Sequence, residues 1–335
     1  MSTSSAEADR DTHGTVLVAM GANLAIGVAK GVAAAVTGSP AMLSEAAHSV
    51  ADTVNEVFVL ASLSRSRRKA DAAHPFGYGK ERFFWSLLAA LGIFVTGACF
   101  SFYQGARTLV GKVEPTGHHP AVAYVVLALA FVAEGTSLVR ARCQIASSAR
   151  AAGRTVRQQL RIDPEPTVRR VFVEDFTAVI GVALALAGLV LHHLTGSARW
   201  EAAASFGIAG LLAYAAYLLG RNSRELLIGQ SAEPRDRLAA LDFLEQQAEI
   251  EVVLEVLTMR LSPTATLFAA RIDPSDGLDS DRVEEVSGSI KMALAAAHPQ
   301  FQPVFLDITD ATDANTVEAR RRWQELRREV DTDSL

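Results

Sequence analysis

The 335-residue chain is half apolar and 21% charged, with 37 acidic and 32 basic residues and a net charge of −5. A balance this close to neutral, with no basic stripe interleaved with aromatics, argues against nucleic acid as a partner. The two cysteines, Cys99 and Cys143, sit in or beside apolar segments at a spacing that fits neither a disulfide framework nor a metal knuckle.

Apolar residues concentrate between positions 14 and 221, the profile of a membrane domain followed by a more polar one. Residues 1–13 are polar and make a poor signal-peptide start. The apolar run behind them is too long for a signal and carries Lys30, so it reads as an uncleaved first span over about 14–37. Gly38-Ser39-Pro40 ends it. Ser39 as N-cap and Pro40 at the first helical position begin the second span with almost no loop. That span, about 41–63, contains MLSEAAHSVADTVNEVFVL and ends in a basic run from Arg65 to Lys69. A third span is expected over about 82–109, introduced by HPFGYGKERFF, and a fourth over 120–139 with Glu134 near its end. Residues 140–170, rich in Arg and Ala, lack the apolar length to span. A fifth span follows over 167–194, with the adjacent acids Glu174 and Asp175, and a sixth over 200–219.

The connections between spans two and three and between four and five carry six and eight basic residues. The other three carry none, two and one. The positive-inside rule then places both termini in the cytoplasm.

From Arg221 the patterns change to those of a small soluble domain: helical over 234–247, strands over 250–261 and 266–272, a helix over 281–297, and a third strand over 303–308. The order αββαβ predicts an α+β sandwich of helices on one sheet. Residues 317–330 read as a charged helical tail with a solvated face. The domains expected are a tail over 1–13, a six-helix unit over 14–221, the αββαβ unit over 222–311 and a charged tail over 312–335.

On a helix, Glu45, His48 and Asp52 fall at i, i+3 and i+7, so three ionisable groups share one face of an apolar segment. Ionisable groups in a bilayer are expensive and by default mark an ion pathway. His48 and Asp52 are one turn apart, and imidazole plus carboxylate suits zinc and neighbouring first-row metals. A second helix must supply further ligands. Asp175, about two turns into the fifth span, is expected at a depth similar to that of Asp52, near the midplane where transporters commonly hold substrate. For Glu45 two readings stand: a ligand, or the ion-pair partner of Lys30. Glu134 and Asn23 read as hydrogen-bonding glue between helices. No HExxH-type signature or nucleophile and base pairing points to an enzyme.

These residues carry a close resemblance to the cation diffusion facilitators. It covers nearly everything from Gly21 to Ile308, through GSPAMLSEAAHSVADT, HPFGYGKERF, EDFTAVIG and AYLLGRNSRELLIGQSA. The resemblance implies a bundle of six transmembrane helices with a cytoplasmic αββαβ domain of ferredoxin-like or metallochaperone-like form. It also implies a homodimer formed through that domain, and exchange of Zn2+ (or Fe2+, Co2+ or Mn2+) for protons across the bilayer. Carried over by position, the transport ligands are His48, Asp52 and Asp175. The family's fourth position falls on Val171, which leaves Glu174, Glu45 or water to complete the set and makes the span-five motif atypical. Glu174 lies about 100° round the helix from Asp175, so a rotated or unwound span would be needed. A peripheral loop site seen in some members is matched by Asp71 and His74 but not by Tyr78, so the loop is expected to be capped rather than metallated. With His298 as its only histidine, the soluble domain is expected to hold no binuclear site. A second reading has the same scaffold no longer transporting and acting as a membrane-anchored regulatory or interaction protein.

Overall fold

A computed structural model describes residues 20–21, 23–111, 120–151, 166–275 and 280–333. The expectations for the N-terminal tail and the start of span one and for residues 152–165 lie outside the described residues. The chain divides into two compact units. One contains residues up to Ser62 with Trp85–Asn222; the other contains Leu63–Phe84 with Ser223 onward.

The helical unit is built from α1 (Asn23–Thr37), α2 (Pro40–Ser66), α3 (Glu81–Leu109), α4 (Pro120–Ala151), α5 (Pro166–Thr195) and α6 (Arg199–Ile228). Four stretches, Glu81–Leu109, Ala121–Ser147, Glu174–Thr195 and Arg199–Ile228, are long and apolar enough to cross a membrane. The described part of α1 is apolar but shorter, and α2 is interrupted by Glu45, Asp52 and Glu56. The α1–α2 turn forms as its residues dictate. Gly38 takes φ +67°, which a side chain would disfavour, and Ser39 Oγ accepts the Met42 amide at 3.3 Å as the cap ahead of Pro40. Small residues fill the core of the bundle, with Ala33, Ala41, Ala51, Ala123, Ala130, Ala185 and Ala204 all buried, so the helices approach closely. Leu24, Val28, Val32 and Val36, at intervals of four on α1, are exposed, an apolar stripe turned outward. Within α3, Ile93–Cys99 form a π-helical segment. Gly97 lies there against α6, where a Cβ would meet Leu212 Cδ1 at 2.8 Å.

The second unit contains α7 (Pro234–Glu245), β1 (Ile250–Arg260), β2 (Thr266–Pro274), α8 (Ser280–Ala297), β3 (Phe301–Ile308) and α9 (Asp313–Asp333). The sheet has order β1-β2-β3, with β1 antiparallel and β3 parallel to β2. The parallel pair requires the crossover that α8 provides. Leu241, Leu244, Phe268, Leu294 and Phe301 form its core. The connection between α2 and α3 belongs to this unit, where Gly79 approaches the Leu261 carbonyl so closely that a Cβ would stand 2.6 Å from it.

The C-terminal helix corrects the expectation of a merely solvated tail. Ala319, Trp323 and Leu326 are buried against the rest of the unit, and Trp323 Nε1 donates to the Val253 carbonyl at 2.8 Å. The fold is therefore αββαβα. Trp323→Ala removes a large buried side chain and the partner of a buried carbonyl, so it should destabilise this unit by about 3–5 kcal/mol. Chemical denaturation of the full chain, followed by near-UV circular dichroism, would measure it; an unchanged midpoint would overturn the role given to α9.

Candidate metal centre

Helix α2 carries the ionisable residues down one side, and their surroundings differ. Glu45 is fully buried and His48 is 2% exposed, while the Asp52 side chain is 27% exposed. His48 Nε2 lies 3.2 Å from Asp52 Oδ2, the one-turn contact that i, i+4 spacing allows. Glu45 Oε2 accepts from Lys30 Nζ at 3.0 Å, the ion pair expected by one of the two readings of Glu45. Glu45 Oε1 and His48 Nδ1 have no hydrogen-bond partner among the described residues. Both flank Gly181 of α5, where a Cβ would stand 2.5 Å from the first and 3.6 Å from the second. Gly181 is thus where α5 makes room for the polar side of α2.

The two acids of α5 diverge. Asp175 accepts a hydrogen bond from Ser137 of α4 at 2.6 Å, whereas Glu174 accepts from Asn55 of α2 at 2.9 Å. Glu174 is therefore the acid tied to α2, and Asp175 is held on α4. Among the described residues no group of three or more His, Cys, Asp and Glu side chains lies close enough to hold a metal ion. His48 and Asp52 are brought together; Asp175, Glu174 and Glu45 each have another partner. Val171 lies in α5, and its side chain is outside the described residues. Asn23 donates to Glu56 at 2.8 Å, joining α1 to α2 as interhelical glue.

Sequence reasoning missed Ser137 and Asn55, which orient the two acids of α5, and Gly181. It also passed over Glu201, buried at the start of α6 against Ser39 and His192. An acid in a first helical turn reads as a partner of the helix dipole, which masks any other role.

The loop before α3 is built around Asp71. Its Oδ1 accepts the amides of Ala73 and His74 at 3.0 and 2.8 Å, and its Oδ2 accepts the Tyr78 hydroxyl at 2.7 Å. These bonds, that from Tyr78 foremost, hold the Asp71 carboxyl below its ordinary value. The Arg68 guanidinium lies 4.3 Å from the Tyr78 ring centre. Tyr78 thus ties the second oxygen of the Asp71 carboxylate to the far end of the loop.

A bundle of apolar helices with an imidazole–carboxylate contact on one helix, together with a separate α/β unit, is the frame of a multi-pass membrane protein. Residues 16–228 match the cation efflux transmembrane domain, and the chain belongs to that family, one of transporters and not of enzymes. Among relatives, metal tolerance protein C4 of Arabidopsis thaliana is 34% identical over 235 residues, 70% of this chain and 51% of that protein. The mitochondrial proton-coupled zinc antiporter SLC30A9 of Xenopus laevis is 34% identical over 239 residues, 71% of this chain and 42% of that protein. The Homo sapiens antiporter of that name is 30% identical over 238 residues, covering 71% and 41%. The chain spans about half or less of the length of these curated relatives.

Proposed function

We propose that the chain exports Zn2+ in exchange for protons by alternating access. In this reading six helices span the bilayer, both termini lie in the cytoplasm, and the C-terminal unit pairs two copies. The observation that carries the proposal is the His48–Asp52 contact, a buried imidazole and a carboxylate one turn apart on α2. The relatives that are proton-coupled zinc antiporters support zinc as the cation and protons as the counter-ion. Zinc takes nitrogen and oxygen ligands in a tetrahedral set, so Asp175 must leave Ser137 and turn toward α2 to join His48 and Asp52. Two candidates stand for a fourth ligand: Glu174, already on Asn55 of α2, and Glu45, whose Oε1 has no hydrogen-bond partner among the described residues while Oε2 is on Lys30. Imidazole ligates metal when neutral and takes up protons in the physiological range, so His48 is the group through which protons and metal exclude one another.

The test is uptake into proteoliposomes of the full chain under an imposed pH difference, with zinc, iron, manganese and cobalt compared. Zinc flux that rises with the gradient and collapses when it is dissipated is the expected result. Stoichiometric zinc binding without flux of any of the four would favour the second reading, a non-transporting regulatory protein, for which the divergence of Glu174 and Asp175 onto separate helices speaks.

A further inference from the structure

A second ionisable cluster lies at the end of the helical unit where α1 turns into α2 and α5 into α6. Glu201, in the first turn of α6, is only 1% exposed. One carboxylate oxygen accepts the hydroxyl of Ser39, from the α1–α2 turn, and the other contacts Nδ1 of His192, near the end of α5. Ser39 is 2% exposed and the His192 side chain 22%, so of the three the imidazole is the one open to its surroundings. A carboxylate this deep among apolar helices persists only with its oxygens paired. Here the pairing draws three helices onto one group.

The packing around the cluster is correspondingly tight. A Cβ at Gly188 of α5 would stand 2.6 Å from Ala204 Cβ and 3.0 Å from the Trp200 carbonyl, and one at Gly105 of α3 would stand 3.1 Å from the Ala202 carbonyl. The Tyr124 hydroxyl of α4 donates to the Leu189 carbonyl at 3.5 Å. Between this cluster and His48, α2 presents Ser44 and Glu45, both fully buried. On the other side of His48 the Asp52 side chain is 27% exposed. The buried stretch therefore runs from His48 to Glu201.

We propose that Ser39, Glu201 and His192 form the gate that closes this end of the ion path: a clasp that holds α2, α5 and α6 together and must part before an ion can leave there. The proposal rests on the transport reading for what is gated. The geometry of the clasp does not depend on the metal. Glu201 is thus a gating residue that touches neither His48 nor Asp52.

The test uses the full chain with Cys99→Ala and Cys143→Ala, a single cysteine at Ser44→Cys, and reconstitution into proteoliposomes. A membrane-impermeant maleimide is applied to each face in turn, and a reference cysteine at Ser197→Cys, in the α5–α6 turn, identifies the face that carries this end. Glu201→Ala should raise the labelling rate at position 44 from that face by about tenfold, the scale of losing two interhelical hydrogen bonds in a membrane. Ser39→Ala and His192→Ala should each raise it by less, and these two decide the matter if Glu201→Ala does not fold. Unchanged labelling from that face, or an equal rise from both faces, would overturn the proposal. Zinc flux is read on the same vesicles: a parent chain without flux whose labelling still depends on the clasp defeats the transport reading alone.

Discussion

Replacing His48 and Asp52 together with alanine is expected to reduce zinc flux to background. A tetrahedral zinc site is worth roughly 10–16 kcal/mol, so each of four ligands carries about 3 kcal/mol and two carry about 6 kcal/mol. That corresponds to a loss in affinity on the order of 10⁴-fold. The other candidate acids each have a partner, Glu45 Oε2 on Lys30, Glu174 on Asn55 and Asp175 on Ser137, so none is expected to replace the pair without rearranging. Equilibrium binding of zinc to the purified double variant, alongside flux in vesicles, separates lost coordination from lost folding. Undiminished transport would remove this pair from the mechanism.

The second large effect is expected at Lys30. Its ammonium and the Glu45 carboxylate are 1% and 0% exposed and 3.0 Å apart, and the other Glu45 oxygen already lacks a partner among the described residues. Lys30→Met would leave the carboxylate buried with neither oxygen paired. Breaking one side of a buried ion pair in this way costs about 3–5 kcal/mol. Adding Glu45→Gln should restore most of the loss, because a neutral amide is far less costly to bury than an unpaired charge. Thermal unfolding in detergent of the single and double variants would show it. A single variant as stable as the parent, or a double variant no better than the single, would contradict the pairing.

How much could be read in advance depended on whether the determining contacts were local. The strands and helices of the second unit were legible to within a few residues, because period-two and period-3.6 patterns are written along single segments; the helix expected over 234–247 forms as Pro234–Glu245. The contact of His48 with Asp52 was legible for the same reason, since both lie on one turn. Asp175 was placed by its depth in the membrane, but its rotation depends on Ser137, 38 residues away on α4, and no pattern within span five encodes that. The buried face of α9 was hidden by composition: Ala319, Trp323 and Leu326 recur at helical spacing inside a segment dominated by Arg and Glu. Glu201 was hidden by ambiguity, as an acid at a helix start has an ordinary explanation.

The short turn between α1 and α2 has a mechanical consequence. The two helices are joined by a turn of two residues at Gly38 and Ser39, tied again by Lys30 and Glu45, and tied a third time by Asn23 and Glu56. A pair of struts with rungs at three stations resists bending between them, because any local flexure must first break a rung. His48 lies between the second and third rungs. Displacing it therefore means displacing the whole braced pair, so the compliance that an alternating cycle requires must come from the joints around this pair rather than from within it.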